Sequence, residues 1–336
     1  MRNVRLLLTL VLLGGLLISC NNQDIPLDYA IVIHGGAGNI SPEYLSEEKQ
    51  KEYKEVLAEA MERGLQILEN NGSSVDAVEN VIRTLEDSPL FNAGKGAVFT
   101  HEGKNELDAS IMNGADLNAG AVAGVTSIKN PISAARKVME ESEHVMLACD
   151  GAETFAKKKG LKIVSPDYFF THSRFESLLR SLEKEGINTD SLKLRKMGTV
   201  GCVALDRSGN LCAGTSTGGR TNKKFGRIGD SPIIGAGNYA KNSTCGVSAT
   251  GHGEFFIRYV VGHEISALME YKEMTVQEAA RTVIHDQLKP VGGTGGVVCL
   301  DKYGNYAMEF NTSGMFRAYG NSEGEMFVKI FGGISK

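Results

Sequence analysis

Thr199 stands where a threonine could become a catalytic nucleophile. The polar stretch 183–196 (EKEGINTDSLKLRK) precedes it and reads as a flexible connection. Thr-Val-Gly-Cys-Val-Ala-Leu-Asp, starting at Thr199, then opens as an apolar strand. A cut between Gly198 and Thr199 would free an α-amino group on the residue that carries the hydroxyl. Such an amine, with a reference pKa of about 7.7–8.0, can accept the hydroxyl proton near neutrality, so the threonine would bring its own base. By itself Gly-Thr-Val also describes a threonine at the start of an ordinary core strand.

An activated threonine needs an oxyanion stabiliser, a substrate anchor and a group that orients its hydroxyl. Thr250-Gly251, at the end of an expected strand, offers a hydroxyl and a backbone N–H for an oxyanion. Arg227 can grip a carboxylate through its planar fork, and Asp230, three residues on, can hold an ammonium. Together they would clamp a zwitterion, the backbone end of an amino acid; the plainer alternative is a local surface ion pair. Thr217 either hydrogen-bonds Thr199 from the neighbouring strand or is a plain β residue. His34 opens the run His34-Gly-Gly-Ala-Gly38 and is a ligand, a base, or a residue that fixes its loop. The run lacks the G-x-G-x-x-G spacing and the Lys-Ser/Thr of a phosphate loop, which argues against nucleotide binding.

Apolar runs and periodicity define the elements that must position these residues. Strands are expected over 29–33, 106–112, 120–127, 144–149, 199–206, 211–217, 243–250, 296–300, 305–310 and 325–329. Helices are expected over 47–69, 75–85, 132–140, 152–159, 168–182, 254–271 and 275–288. Hairpins in both halves with grouped helices argue for an α+β arrangement, sheets packed between helix layers, in one domain. The polar stretch lies inside that core, so a cut there would leave two interlocked chains.

The chain has 336 residues and a net charge of −4, and without a basic stripe it gives no electrostatic case for nucleic acid. Arg2 and Arg5, the apolar run 6–17 and Leu17-Ile18-Ser19-Cys20 read as an export signal too short to span a membrane. The end resembles a bacterial lipobox, which implies cleavage after residue 19 and a lipid on Cys20; an ordinary signal with an incidental cysteine is the alternative. The expected protein is therefore exported and membrane-attached only through that lipid. Cys149, Cys202, Cys212, Cys245 and Cys299 form no Cys-x-x-Cys pair and read as buried thiols, with Cys202 and Cys212 a candidate pair across the hairpin.

Several long motifs in order resemble the plant-type L-asparaginase/isoaspartyl peptidase family of N-terminal nucleophile hydrolases. They are Gly198-Thr-Val-Gly-Cys-Val-Ala-Leu-Asp206, Thr215-Ser-Thr-Gly-Gly219, Gly226-Arg-Ile-Gly-Asp-Ser-Pro-Ile-Ile-Gly-Ala-Gly237 and Thr250-Gly-His-Gly-Glu254. In the first half, His34-Gly-Gly-Ala-Gly38, Pro89-Leu-Phe-Asn-Ala-Gly-Lys-Gly96 and Glu106-Leu-Asp-Ala-Ser110 fit the same family. The resemblance implies a four-layer αββα sandwich over 20–336, self-cleaved into subunits 20–198 and 199–336, and a dimer of such heterodimers. It implies Thr199 as nucleophile, Thr217 assisting, Arg227 and Asp230 on the substrate, Thr250 and Gly251 as oxyanion hole, and Asn92 near the nucleophile. No cofactor is implied for catalysis. A structural sodium is implied on backbone oxygens of the loop carrying Leu85, Glu86, Ser88, Phe91, Ala93 and Lys95. The substrates implied are small: asparagine or an isoaspartyl dipeptide. A glycosylasparaginase is the nearest rival, although Gly198 stands where those relatives usually carry Asp. A non-catalytic surface lipoprotein is the rival of another class.

Overall fold

A computed structural model describes residues 26–185 and 198–332; the expected signal segment with Cys20, and residues 186–197, which take in most of the polar stretch, lie outside the described residues. In chain order the first part gives β1 (Ala30–Gly38), α1 (Glu47–Glu69), α2 (Ser74–Glu86), β2 (Leu107–Asn113), β3 (Ala119–Val125), α3 (Pro131–Glu141), β4 (Met146–Ala148), α4 (Cys149–Lys158) and α5 (His172–Glu183). From Thr199 onward come β5 (Val200–Leu205), β6 (Leu211–Thr217), β7 (Asn238–Ala240), β8 (Cys245–Gly251), α6 (Gly253–Arg258), α7 (Val261–Lys272) and α8 (Val276–Arg281). The chain closes with β9 (Gly295–Asp301), β10 (Tyr306–Phe310), β11 (Gly314–Asn321) and β12 (Met326–Phe331).

Eight strands form one sheet in the order β12-β11-β1-β5-β6-β2-β3-β4, and four form a second in the order β10-β9-β8-β7. Helices α1, α2 and α3 cover the outer face of the large sheet, α7 and α8 cover the small one, and β1, β5 and β6 face β8 and β9. The result is a four-layer αββα sandwich, an α+β fold. Strand alternation explains it. Ile31, Ile33, Val200, Cys202 and Ala204 point into the core beneath the helices, while Ala30, Val32, Val203 and Leu205 point into the core between the sheets. Strands buried on both faces read as continuous apolar runs, which is why β1 and β5 were expected where they lie.

The helix starts follow the expected capping chemistry. Ser46 Oγ accepts from Lys49 N, Ser73 Oγ accepts from Asp76 N, and Thr275 with Glu278 forms a complete capping box.

Several expectations need correction, among them the helix expected over 168–182, which is a 3-10 turn over Pro166–Phe169, extended at Phe170 and Thr171, and α-helical only from His172. The helix expected over 254–271 is broken at Val260, which sits at φ 49°. The carbonyls of Gly235 and Ala236 take the amides of His263 and Gly262, so a loop rather than the helix satisfies the first turn of α7. The helix expected over 275–288 is α-helical only to Arg281 and widens to a π-helix over Thr282–Leu288, where Asn311 Nδ2 donates to Ile284 O. Strand β11 was not expected at all, yet it pairs with both β1 and β12 near the edge of the large sheet. Its Arg317 is accommodated by donating to Met315 O and Phe331 O and lying over the Phe310 ring.

Candidate active site

Thr199 lies between the sheets at the head of β5, 9% exposed, and its hydroxyl donates to Thr217 Oγ1 at 3.2 Å. The pairing of β5 with β6 brings the two threonines together: Val200 faces Ser216 in register, so the residues flanking that pair are neighbours. Thr217 Oγ1 also accepts from Gly219 N at 2.9 Å, which fixes it from the other side. With two donors aimed at it, the Thr217 oxygen is a held acceptor for the Thr199 proton.

His34 anchors the backbone of Thr199. Its Nδ1 meets Thr199 O at 2.9 Å and its Nε2 meets Ser248 Oγ at 3.0 Å. Burial lowers its pKa to about 3, so the ring is neutral; Nδ1–H then donates to the carbonyl and Nε2 accepts from the serine. Gly201 makes room for this contact, since a Cβ there would stand 1.9 Å from Ser248 Oγ and 2.3 Å from His34 Nε2. Of the three roles left open for His34, the structure supports fixing the loop.

Gly198, Thr199, Thr217, Arg227, Asp230 and Gly251 line one cleft, joined by Arg220, Ser231 and His252. Asp230 is 5% exposed and its Oδ2 has no hydrogen-bond partner. Burial raises its pKa to about 7, against the pull of its own backbone amide and of Arg227. Arg227 is not paired with it: Nε and Nη2 meet Glu254 Oε1 and Oε2 at 3.0 and 3.1 Å. The surface-ion-pair alternative is therefore not what the fold builds. Glu254 gives the guanidinium a fixed orientation and leaves Nη1 for another acceptor. Burial is the largest single influence and works against the Glu254 charge, but the Arg227 bond, the residue's own backbone amide and the nearby positive charges together hold the carboxyl below its ordinary range.

Thr250 and Asn92 stand just outside the cleft. Thr250 Oγ1 accepts from Ala37 N at 3.3 Å, one residue behind Gly251. Asn92 lines a second cavity on the far side of Gly198, donating to Gly219 O and accepting from Val98 N. It ties the 218–219 turn to the 92–98 loop.

The arrangement pairs a buried hydroxyl with a carboxylate and a guanidinium suited to an amino-acid backbone. The family model described as "Asparaginase" matches residues 27–330. The chain belongs to the asparaginase family. It is 49% identical over 297 residues to the isoaspartyl peptidase of Escherichia coli K12, spanning 86% of this chain and 92% of that one. It is 48% identical to the isoaspartyl peptidase of Salmonella typhimurium, over 86% of this chain and 94% of that protein. Mouse isoaspartyl peptidase/L-asparaginase is 42% identical over 295 residues, 87% of this chain and 88% of that protein.

Within this asparaginase-family chain the proposed sodium loop can be tested by its oxygens. The carbonyls of Glu86, Ser88, Phe91 and Lys95 take no hydrogen bond from the described residues, whereas those of Leu85 and Ala93 do. A Cβ on Gly94 would lie 2.3 Å from Glu86 O, and one on Gly96 would lie 2.0 Å from Phe91 O, so both carbonyls turn inward over glycines. Backbone oxygens of this kind suit a hard cation, and no His/Cys/Asp/Glu cluster with metal-ligand geometry exists among the described residues. The five described cysteines are unpaired, four of them buried as expected and Cys149 exposed against expectation; Cys202 faces Gly214 and Cys212 faces Ala204, so the candidate pair is offset by two positions rather than opposed.

Proposed function

We propose that the chain is an isoaspartyl peptidase/L-asparaginase that activates itself by cutting Gly198–Thr199. In the uncut chain Thr199 Oγ1 attacks the Gly198 carbonyl, the acyl group moves from nitrogen to oxygen, and water releases the ester. Thr217 holds the hydroxyl and His34 holds the Thr199 carbonyl during that step. The freed α-amine then takes the Oγ1 proton, and Oγ1 attacks the side-chain carbonyl of an L-aspartyl unit. As the family resemblance implies, the Gly251 N–H on the cleft wall and the Thr250 hydroxyl just beside it would stabilise the developing oxyanion. The leaving amine or ammonia collects the proton, and water clears the β-aspartyl ester.

Arg227 Nη1 takes the substrate α-carboxylate and Asp230 Oδ2 takes the α-ammonium. The observation that carries this reading is the partnerless Asp230 oxygen, buried in the same cleft as the Thr199–Thr217 hydroxyl pair. A buried polar atom without a partner is costly, and an ammonium ligand would supply one. Aspartate release from an isoaspartyl dipeptide and from asparagine tests the reading. Faster release from a glycosylated asparagine than from either would favour the glycosylasparaginase rival.

The same proposal makes the protein an exported lipoprotein attached through Cys20, cut into 20–198 and 199–336 and assembled as a dimer of heterodimers. The backbone oxygens of the 85–95 loop would hold a sodium that braces the loop carrying Asn92.

A further inference from the structure

Gly198 lines two cavities. One is the cleft that holds Thr199, Thr217 and Arg227; the other is lined by Tyr53, Phe91, Asn92, Arg174 and Phe316 among others. Self-cleavage creates a new α-carboxylate at Gly198. Water adds to the acyl ester, Thr199 Oγ1 leaves as the hydroxyl, and the acid that forms ionises, its reference pKa being about 3.3–3.7. An anion left in the cleft would compete for Arg227 with the carboxylate of a substrate.

The second cavity offers that anion a partner. Arg174, on α5, is 6% exposed. Its Nε donates to Gly96 O and its Nη2 to Leu90 O, while Nη1 has no partner among the described residues. A buried guanidinium satisfied only by two carbonyls is a desolvated charge without its counter-ion. Burial pushes its pKa down, the sign of a cation that an anion would stabilise. The space beside it is small, about 40 Å³. That is room for about three waters, enough for the two oxygens of a carboxylate and too little for a further residue. Glycine suits the turn from one cavity to the other. A Cβ on Gly198 would lie 3.4 Å from Asn92 Cβ and 3.8 Å from Gly35 O, and without one the freed end can rotate between them.

We propose that after self-cleavage the carboxylate of Gly198 seats on Arg174 in the second cavity, leaving Arg227 to the substrate. The inference rests on the self-cleavage in the proposed function and adds what becomes of its acid product. Cleavage thus supplies the counter-ion that Arg174 lacks in the uncut chain, and the cut end is held by the fold that made it.

The test labels the native, processed protein with a carbodiimide and methylamine and follows the mass of the peptide that ends at Gly198. Its carboxylate is expected to couple about tenfold or more slowly than that of the exposed Glu62, as a charge-assisted pair would give. In Arg174→Gln the two rates should come within about twofold of each other, whereas Arg227→Ala should keep the Gly198 carboxylate protected. Should Arg174→Gln fail to fold, Arg227→Ala decides, since a carboxylate held in the cleft by Arg227 would lose its protection there. Wild-type coupling as fast as that of Glu62, protection that survives Arg174→Gln, or protection lost in Arg227→Ala would each overturn the seat. The proposed function would still stand, because the cut itself is seen in the same peptide map. A map with no peptide ending at Gly198 would remove the self-cleavage and the seat together.

Discussion

Arg227 and Glu254 form a two-point ion pair, Nε to Oε1 at 3.0 Å and Nη2 to Oε2 at 3.1 Å, at the rim of the cleft that holds Thr199. Glu254 thus fixes the plane of the guanidinium before any ligand arrives. Arg227→Ala should lower kcat/KM by roughly ten- to a hundredfold, the loss of a charge-assisted pair worth about 1.5–3 kcal/mol, while self-cleavage continues. Glu254→Gln should act in the same direction but less, through KM. Wild-type kinetics for both variants would leave the pair a surface decoration.

Catalytic efficiency should rise with pH along an acid limb with two contributors. Asp230, raised to about 7 by burial, must be charged to hold an ammonium, and its charged form gains population as pH rises through that value. The α-amine of Thr199 must be neutral, and its reference pKa is about 7.7–8.0. Both requirements push the same way. In kcat the bound ammonium keeps Asp230 charged, so the limb should be shallower there than in kcat/KM. His34, neutral down to about 3, contributes nothing to it. A limb of equal steepness in both profiles would count against Asp230 as the ammonium partner.

Gly201→Ala should destabilise the protein and block self-cleavage. The added methyl would press on Ser248 Oγ at 1.9 Å and His34 Nε2 at 2.3 Å, breaking the contact that holds the Thr199 carbonyl. Overpacking of this kind costs about 1–3 kcal/mol. Thermal unfolding and the fraction of cut chain report the two effects separately.

Thr217→Val keeps the β-branched shape and removes the acceptor of the Thr199 hydroxyl. It should slow both self-cleavage and turnover by about tenfold or more, the scale of one hydrogen bond to a reacting group. Unchanged progress curves would make Thr217 a plain strand residue.

The double-sided strands were legible because burial on both faces writes an unbroken apolar run, and β1, β5 and β6 carry one. Strand β11 was hidden by Gly314, Gly320 and a central Arg317, whose charge is absorbed by carbonyls and a ring from distant parts of the chain. The break at Val260 was equally invisible, since its cause is the 235–236 loop. In the cleft, Thr199, Thr217, Arg227, Asp230 and Gly251 were nominated from their types and motifs. Glu254 was seen only as a motif letter. Its partnership with Arg227 spans 27 residues and depends on how α6 turns back over the 226–230 loop. Arg174 gave no sequence signal, because an arginine on an amphipathic helix reads as solvent-facing until its burial is known.

N-terminal sequencing of the purified protein tests the central claim most directly. Two associated chains are expected, one of them beginning Thr-Val-Gly-Cys at Thr199, and Thr199→Ala should yield a single chain without that start. A wild-type protein that stays uncut, or a second chain that begins at any other residue, would contradict Thr199 as the nucleophile.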